Sequence, residues 1–469
     1  MITLNAGRSA EAIHTSHGDR SVDKSEKAGW SSRTAFIFAS IGFAVGLGNI
    51  WRFPYMVGEN GGSAFVLVYL LCVFIIGMPI LIAELTIGRI GRGSCTGAML
   101  QTALQENRSP RWKGVGYINM LAAFLVTLIY SGIVGWVLYY LYKSVSVGFG
   151  SFDAAMSSAT YQAMLQDNAV MIFWCWAGLA ITAGIAFLGL KAGVERAVSV
   201  MIPLLIVVMV LLAGYGMLSE GFAPAVSYLF EPDFSKINGS VFLAAIGQAF
   251  FSIGVGLAAM MTYGSYLPKS FNIPAGAGII IAADTIIALL AGVVIFPLVF
   301  TFGLNPASGP GLIFETLPVA FSQMPIGRLF SILFFFSLSC AAITTMIGFV
   351  ESLISFLMDE RNISRRRAAI IVFSAIALLS MLSIFSYNIF SHFKVFGRDF
   401  NAIIDTLVNN ILLPLGGLLI VVFSAWFISR RTLLDQIKLG PVGFRLWLFA
   451  ARFVAPIAII MIAAFSLTE

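Results

Sequence analysis

The 469-residue chain is poor in charge and in the residues that most often carry catalysis. Asp, Glu, Lys and Arg make up only 11% of it, with three His and four Cys. So little charge excludes a soluble globular protein of ordinary composition. Cys72, Cys95, Cys175 and Cys340 lie far apart, which excludes a disulfide framework or a Cys-based metal site. The three His form no cluster, so no His-based catalytic centre is indicated.

Apolar residues are abundant instead. They make up 59% of the chain, and the mean hydropathy is +0.93. A helix needs about 20 apolar residues to cross a bilayer core, and the sequence offers eleven such segments. They are 34–57, 64–89, 117–147, 168–188, 194–216, 241–267, 276–303, 328–357, 367–388, 402–428 and 445–467. The predicted fold class is therefore an all-α polytopic membrane protein with about eleven transmembrane helices.

Basic residues are concentrated in the loops on one side of these segments, including the run Arg365 to Arg367. By the positive-inside rule, this side and the N-terminus are predicted to be cytoplasmic. The stretch 1–28 is polar and mixed in charge, so we expect a cytoplasmic tail rather than a secretory signal. The predicted location is the inner, or plasma, membrane of the cell.

Two apolar segments are interrupted by the pattern Gly-x-Gly. GFAVGLGNIWRFP contains Gly46 and Gly48, and GQAFFSIGVGLAAMMTYGSY contains Gly254 and Gly256. Unpaired backbone groups cost several kcal/mol in lipid unless they line a cavity or a ligand. Two interrupted helices in matching halves are typical of a transporter binding site. The alternative is that these glycines only permit close helix packing.

The two breaks divide the chain into similar halves. Segments one to five and six to ten each open with a broken helix, and an odd number of spans inverts the second half. We expect the loops 217–240 and 303–327 to cover the external face. The predicted organisation is a tail (1–28), a first five-helix repeat (29–216), an external loop (217–240), a second, inverted repeat (241–428) and an eleventh helix (429–469).

Asp284 lies within the apolar stretch IIIAADTIIALLAG. An unpaired carboxylate at the centre of a membrane helix costs about 2.5–3.5 kcal/mol, so we expect a partner inside the bundle, such as a sodium ion. The alternative is a protonated or capped structural Asp. Thr344 and Thr345 place adjacent hydroxyls on another helix, where the alternative is bonding back to the preceding turn. Glu84 is expected to bind exposed backbone.

Charged residues flank the interrupted segments at both ends. Arg52 is predicted to pair with Asp405 at the outer end. At the inner end, Lys27 and Trp30 precede the first segment on the same side as Asp359. These groups are candidate gates, and the alternative is that they are solvated loop charges.

The stretches AVGLGNIWRFP and GQAFFSIGVG resemble the motifs of the neurotransmitter:sodium symporter family, particularly its bacterial amino-acid transporter branch. The resemblance covers the chain from Trp30 to about residue 430. It implies a 5+5 inverted repeat with discontinuous helices 1 and 6, one extra helix, and a four-helix bundle that rocks against a scaffold.

The resemblance also implies two sodium sites and a substrate site. The first sodium site would use Asn49, Ser252, Asp284, the Ala44 carbonyl and the substrate carboxylate. The second would use the carbonyls of Gly42, Val45 and Ala341 with the hydroxyls of Thr344 and Thr345. The substrate site would be formed by Ala44, Gly46, Leu47, Gly48, Val126, Tyr130, Ile133, Phe251, Ser252, Gly254, Leu257, Thr345 and Phe349.

Departures from the family pattern refine these expectations. Amine-transporting members carry Asp at the position of Gly46, so here the ligand should bring its own carboxylate. Gly254 and Leu257 are smaller than their counterparts in leucine-transporting members and would admit a larger side chain, although Phe349 takes back some room. Asp284 stands where many members have Asn, and its fixed charge would make chloride unnecessary.

One further departure and one further match concern the inner side. Lys27 replaces the Arg that usually forms the inner gate with Tyr266 and Asp359, which changes a planar donor into a point charge. Gly193 and Pro203 match a pattern that lets the fifth helix unwind in bacterial relatives. The alternative for Pro203 is a simple kink.

The predicted function is sodium-coupled import of a neutral, hydrophobic or aromatic L-amino acid by alternating access, with two Na⁺ and no chloride. The alternative is an amino-acid sensor or a channel on the same fold. An enzyme is not expected, because Asp284 has no His or second Asp to form an acid–base pair. The expected partners are the amino acid and the lipid bilayer, without nucleic acid. The sequence leaves the oligomeric state open.

Overall fold

The computed structural model describes residues 29–231, 233–395 and 397–466, and this part of the chain is almost entirely helical. The helices of the first half are α1 (Arg33–Ala44), α2 (Gly48–Glu59), α3 (Ser63–Gly91), α4 (Cys95–Gln105), α5 (Pro110–Ser146), α6 (Ala154–Gln166), α7 (Asn168–Phe187), α8 (Leu190–Gly216) and α9 (Phe222–Phe230).

The helices of the second half are α10 (Gly239–Ile253), α11 (Ala259–Ser265), α12 (Ile273–Thr301), α13 (Leu317–Gln323), α14 (Gly327–Arg361), α15 (Arg365–Phe385), α16 (Phe400–Phe427), α17 (Arg430–Ile437) and α18 (Pro441–Met461). Extended pairing in the described residues is limited to one isolated bridge between Val395 and Arg398. The predicted all-α fold class is confirmed.

Nine helices in the described residues are long and apolar enough to cross a membrane, namely α3, α5, α7, α8, α12, α14, α15, α16 and α18. Together α1 and α2 make a further span, bent by 45° at its break. The remaining predicted segment, 241–267, is divided into α10 and α11, and each piece is shorter than a full span. The polytopic architecture is confirmed, while the count of eleven and the inverted repeat stay predictions.

The interior of the bundle is formed by the most buried helices. In the apolar part of α14, 83% of the residues are buried, compared with 33% in α7 and in α18, so α14 is central and the other two are peripheral. α5 packs along α14, and α1 packs against both α14 and α8. The first broken helix therefore lies inside the protein rather than against lipid.

The first break falls between α1 and α2. Val45 has φ −75° and ψ 85°, which takes the chain out of the helical region after Ala44. The amide of Val45 still bonds to the Ile41 carbonyl at 2.6 Å, and helical bonding resumes when the Asn49 amide reaches the Gly46 carbonyl at 3.1 Å. The amides of Gly46 and Leu47 are thus released from the helical ladder and bond to side chains instead, as the Gly-x-Gly pattern predicts.

The second break falls between α10 and α11. Gly254 has a φ of 70° and Gly256 a φ of 79°. Glycine adopts such positive values without steric cost. Glu84 of α3 reaches this break, where its Oε1 accepts a hydrogen bond of 2.7 Å from the Gly256 amide. The expectation that Glu84 binds exposed backbone is confirmed. Its carboxylate replaces a hydrogen bond that the interrupted helix has lost.

The two long loops predicted to cover the outer face both contact α2. The 217–240 loop contains α9, from which the Tyr228 hydroxyl donates to the Val57 carbonyl at 3.3 Å. The 303–327 loop contains α13, and its Pro310 carbonyl accepts a 3.1 Å hydrogen bond from Trp51 Nε1. Both loops therefore lie against the second half of the first broken helix.

Helix α8 carries the Gly193 and Pro203 pattern. It runs through Pro203 to Gly216 after one wide turn at Leu190–Glu195. Glu195 accepts hydrogen bonds from the amide and the hydroxyl of Ser31, the former at 2.9 Å. The helix is wound in this conformation, so its unwinding stays a prediction.

A buried ion pair joins α14 to α15. Arg365 donates Nη1 and Nη2 to the two carboxylate oxygens of Glu351 at 2.8 and 2.6 Å. Glu351 is only 1% exposed. A bidentate pair fixes both the distance and the orientation of its two partners. It therefore fixes the start of α15 against the C-terminal part of α14.

Replacing Arg365 alone should destabilise the protein more than replacing both partners. Arg365→Met leaves the Glu351 carboxylate buried without its cation, which costs about 3–5 kcal/mol of unfolding free energy. The double variant Glu351→Leu/Arg365→Met removes both charges and should recover most of that loss. The measurement is the midpoint of thermal unfolding in detergent. Arg367→Met is the control, because Arg367 forms no ion pair in the described part of the chain. A wild-type midpoint for Arg365→Met would contradict the interpretation.

Candidate functional site

A buried polar cluster lies where the first break, the second broken helix and α12 meet. Asn49 Nδ2 donates to Asp284 Oδ1 at 2.7 Å and to the Asp284 carbonyl at 2.9 Å. Ser252 Oγ donates to Asp284 Oδ2 at 2.7 Å. The structure therefore brings together three residues that are distant in sequence, since Asn49 is 203 positions from Ser252 and 235 from Asp284. All three are at most 1% exposed.

Tyr69 of α3 is a fourth member of this cluster, and sequence reasoning missed it. Its hydroxyl lies 3.1 Å from Ser252 Oγ and donates to Asp284 Oδ2 at 3.4 Å. The one signal in the sequence is a tyrosine within an otherwise apolar segment. That signal does not indicate which side of the helix faces the site.

The Asp284 carboxylate has only neutral neighbours. Its hydrogen-bond donors are an amide and two hydroxyls, and in the described part of the chain no ion pair involves it. A buried carboxylate with no cationic partner is costly in a membrane bundle. The oxygens of Asp284, Ser252, Tyr69 and Asn49 are hard ligands, which suit an alkali cation. The donor set thus fits a sodium ion.

Asn49 also closes the first break. Its Oδ1 accepts a 3.2 Å hydrogen bond from the Gly46 amide, while the amide of Leu47 approaches the Tyr130 hydroxyl at 3.5 Å. The side chain therefore links the released backbone to Asp284. The carbonyl of Ala44, predicted for the same sodium site, belongs to the last residue of α1 at this break.

The second predicted sodium site lies where α1 touches α14. Thr345 Oγ1 donates to the carbonyls of Gly42 and Phe43 at 3.3 and 3.0 Å. Thr344 Oγ1 bonds back to Cys340 and Ala341 of its own helix at 2.9 and 3.1 Å. Of the predicted set, Gly42, Ala341, Thr344 and Thr345 are neighbours, and Val45 lies at the adjacent break. Both hydroxyls donate to backbone carbonyls. For Thr344 this is the bond to the preceding turn that the sequence offered as the alternative.

A small cavity of about 20 Å³ lies between the two breaks and helices α5 and α14. Most of its lining was predicted for the substrate site: Ala44, Gly46, Gly48, Tyr130, Phe251, Gly254, Leu257, Thr345 and Phe349. The volume is close to that of a single water position, so the site is nearly closed in this conformation.

Four predicted substrate residues do not line this cavity. Leu47 approaches Tyr130 through its backbone amide, and Ser252 turns its hydroxyl to Asp284. Val126 and Ile133 lie on α5 within one turn of Tyr130 and are 9% and 8% exposed. The cavity is too small to reach all four in this conformation, and their contact with a substrate stays a prediction.

Phe43 was not predicted, yet its ring forms part of the cavity wall. A Cβ atom at Gly254 would lie 2.5 Å from this ring, and one at Gly348 would lie 2.2 Å from it. The ring also meets Phe349 edge to face, with centroids 5.3 Å apart. The space that Gly254 was expected to leave for a larger substrate is thus occupied by Phe43. In the sequence, the indication of this role was that Phe43 lies between Gly42 and Ala44, which were both predicted to belong to the site.

Gly46 faces the locus where the substrate carboxylate was expected. A Cβ atom here would lie 2.2 Å from Thr345 Oγ1 and 3.3 Å from the Tyr130 hydroxyl. No side chain fits without displacing its neighbours. Gly46 therefore lies at the helix break and also permits close packing between helices, which was the alternative explanation for this glycine.

The predicted outer ion pair is not formed. Arg52 Nη1 donates to Gln248 Oε1 at 3.0 Å, and its guanidinium lies 4.6 Å from the centre of the Phe251 ring. Asp405 instead accepts a 2.7 Å hydrogen bond from Asn409. Arg52 and Asp405 thus form no ion pair in this conformation, and their pairing when the gate closes stays a prediction.

An outer cavity of about 470 Å³ lies beside Arg52 and Asn409. Phe251 lines the central cavity, and Arg52 lines the outer one, so their contact stands between the two. Gln248 was missed by sequence reasoning, although its Nε2 also donates to the Gly48 carbonyl at 2.8 Å. It connects Arg52 to the backbone of the first break.

At the end predicted to be cytoplasmic, Trp30 packs against α11 and the residue that follows it. Its Nε1 donates to the Tyr263 carbonyl at 3.1 Å, and the Tyr266 ring lies 6.1 Å away, edge to face. Asp359 Oδ2 accepts a 2.5 Å hydrogen bond from the Ser94 amide. Lys27, the predicted cation of this gate, lies outside the described residues, as does the tail 1–28.

Comparison with known proteins gives consistent results. The profile of the "Sodium:neurotransmitter symporter family" matches residues 27–151 and 162–469. YhdH of Bacillus subtilis, described as an uncharacterized sodium-dependent transporter, is 35% identical over 439 residues, covering 92% of this chain and 96% of its own. The sodium-dependent serotonin transporter of Drosophila melanogaster is 28% identical, over 74% of this chain and 62% of its own.

A solved structure is also similar. The crystal structure of MhsT in complex with L-phenylalanine superposes with a TM-score of 0.87 at 36% identity, over 94% of this chain and 99% of MhsT. The resemblance inferred from the motifs is confirmed, including its bacterial branch. The relatives are transporters, so the expectation that this protein is not an enzyme is also confirmed. This chain is a multi-pass membrane protein that belongs to the Sodium:neurotransmitter symporter family.

Proposed function

We propose that this protein imports a neutral, hydrophobic or aromatic L-amino acid, driven by the sodium gradient, through alternating access. The observation that carries the proposal is Asp284. Its carboxylate is buried among neutral donors, beside two interrupted helices whose released backbone faces the same cavity. A small cation would neutralise this charge, and the substrate would be held next to it. Binding of the two would thereby be coupled.

The lining of the central cavity supports an amino acid as substrate. Gly46 leaves no carboxylate of the protein's own at the first break. The amide of Leu47, which in this conformation approaches the Tyr130 hydroxyl at 3.5 Å, and that hydroxyl would instead bind a carboxylate supplied by the ligand. Apart from Thr345, the rest of the lining is glycine, apolar or aromatic, without a charged side chain. MhsT, whose solved structure contains L-phenylalanine, is similar over nearly the whole chain.

The proposed ion sites give the coupling its magnitude. A tenfold sodium gradient contributes about 1.4 kcal/mol per ion, and 100 mV adds about 2.3 kcal/mol per charge. Two ions, at Asp284 and at the Thr344–Thr345 pair, would supply about 7 kcal/mol and sustain about a 10⁵-fold substrate gradient. The fixed charge of Asp284 supports independence from chloride. The basic loops support a cytoplasmic N-terminus in the inner membrane.

Transport in proteoliposomes is the direct test of this function. With sodium outside and a negative interior, labelled phenylalanine or leucine should accumulate above its external concentration, because the ion gradient drives uptake. Replacing sodium by potassium should abolish accumulation, and replacing chloride by gluconate should leave it unchanged. Uptake that only equilibrates would indicate a channel, and sodium-dependent binding without uptake would indicate a sensor.

Asp284→Ala should weaken sodium-dependent binding of the amino acid by about 100-fold or more, because it removes a charged ligand. Binding can be measured in detergent by scintillation proximity at a series of sodium concentrations. Thr285→Ala is a matched control on the same helix, since the buried Thr285 hydroxyl has no hydrogen-bond partner among the described residues. Sodium affinity equal to wild type in Asp284→Ala would reject the ligand role.

Gly46→Asp should reduce amino-acid uptake at least tenfold, roughly the effect expected from one lost charge-assisted contact. The new carboxylate would collide with Thr345 and Tyr130 and would repel the carboxylate of the substrate. Initial rates of uptake in proteoliposomes provide the measurement. Gly132→Ala is the control, because a Cβ atom at Gly132 has nothing within 4 Å. Unchanged uptake in Gly46→Asp would argue against a carboxylate locus at the first break.

A further inference from the structure

A further cavity lies between α17 and the start of α18, and it shares no lining residue with the central or the outer cavity. It has a volume of about 470 Å³. We call it the 430–445 groove, and it is lined by Arg430, Leu434, Leu439, Pro441, Phe444 and Arg445. The groove thus combines two cationic side chains with an apolar floor.

The wall formed by α17 is held in place by a buried arginine. Arg89 of α3 is 3% exposed, and its Nη1 donates to the Phe271 carbonyl at 2.7 Å. Its Nε donates to Gln436 Oε1 at 2.9 Å, and its Nη2 donates to the Gln436 carbonyl. Leu433 and Ile437 pack inward from the same short helix. The adjacent side of the helix, with the exposed residues Arg430 and Leu434, is thereby held in position at the groove.

The two arginines of the groove have no acidic partner among the described residues. Neither forms an ion pair with any residue that the structure describes. The Arg430 guanidinium lies 5.9 Å from the centre of the Phe444 ring, and Arg445 Nε donates to the Pro441 carbonyl at 3.4 Å. These contacts orient both groups and leave their positive charge uncompensated.

The acidic side chains of this region are occupied elsewhere. Glu106 accepts hydrogen bonds from the Ser429 amide at 2.8 Å and from Thr432 Oγ1 at 2.5 Å. Asp435 accepts one from the side chain of Gln436 at 3.1 Å. Neither carboxylate lines the groove, so the two charged side chains that do line it are both cationic.

An exposed apolar surface continues from the groove along α18. Val442, Leu446 and Phe449 are 66%, 65% and 58% exposed, at helical spacing on one face. Because α18 is a span of a membrane protein, this face contacts acyl chains. Arg445 lies near the start of this span and Arg430 lies across the groove on α17. This is the level where the hydrocarbon core gives way to head groups, and basic pockets there bind anionic lipids.

We propose that the 430–445 groove binds an anionic phospholipid, with its phosphodiester between Arg430 and Arg445 and its acyl chains along Val442, Leu446 and Phe449. Charge complementarity selects the anionic head group. The continuous apolar surface favours a lipid over a free phosphate, which would gain nothing from it.

Native mass spectrometry of the full-length protein, titrated with phosphatidylglycerol or with phosphatidylcholine of the same acyl chains, tests the proposal. Wild type should retain phosphatidylglycerol in preference to phosphatidylcholine. Arg430→Gln/Arg445→Gln should weaken phosphatidylglycerol binding about 30-fold, which corresponds to about 1 kcal/mol for each basic side chain. Arg430→Lys/Arg445→Lys should keep most of the affinity, because both charges remain.

Arg366→Gln/Arg367→Gln is the matched control, since it removes two exposed arginines without an ion pair in the described residues of another loop. Its phosphatidylglycerol affinity should equal that of wild type. An equal loss of phosphatidylglycerol affinity in the groove variant and in this control would overturn the proposal. Wild-type affinity in the groove variant would also overturn it, and so would equal binding of phosphatidylglycerol and phosphatidylcholine by the wild type. Displacement of the lipid by excess inorganic phosphate alone would also overturn it in favour of a free-anion site. An unchanged thermal midpoint confirms that each variant is folded.

Discussion

The structure depends on a single carboxylate placed where a membrane helix would normally carry an apolar side chain. Asp284 lies in the middle of α12, and its oxygens are held by Asn49 from the first break, Ser252 from α10 and Tyr69 from α3. Four separate helical elements therefore meet at one negative charge. No cationic side chain of the described residues neutralises it, so the sodium ion proposed above would complete the arrangement, in keeping with the sodium-dependent relatives of this chain.

The interrupted helices can exist because neighbouring side chains replace their lost hydrogen bonds. Asn49 accepts from the Gly46 amide, and Gln248 donates to the Gly48 carbonyl. Glu84 accepts from the Gly256 amide in the other break. Each compensation costs less than leaving a backbone group unpaired in the bilayer. The polar side chains of the bundle interior thus serve both the stability of the fold and the proposed binding of ion and substrate.

The sequence predicted the features that arise from local chemistry. The Gly-x-Gly pairs gave the breaks, the isolated Asp284 gave a buried charge, and the motifs gave the family. It did not predict Tyr69, Phe43 or Gln248, because their roles depend on which face of a helix turns inward, and an apolar segment buried on several sides has no periodicity that reveals it. It also did not predict that Arg52 would bond to Gln248 in this conformation, since membrane depth can be read from the sequence but lateral distance cannot.

The aromatic ring at position 43 links three positions that are distant in the chain. It fits only because residues 254 and 348 have no β-carbon, and the positive φ at Gly254 favours glycine independently. A relative with alanine at residue 348 would have to shorten the side chain at residue 43. Substitutions at these sites should therefore co-vary among homologues, and such a compensated pair would mark a branch with a differently shaped amino-acid cavity.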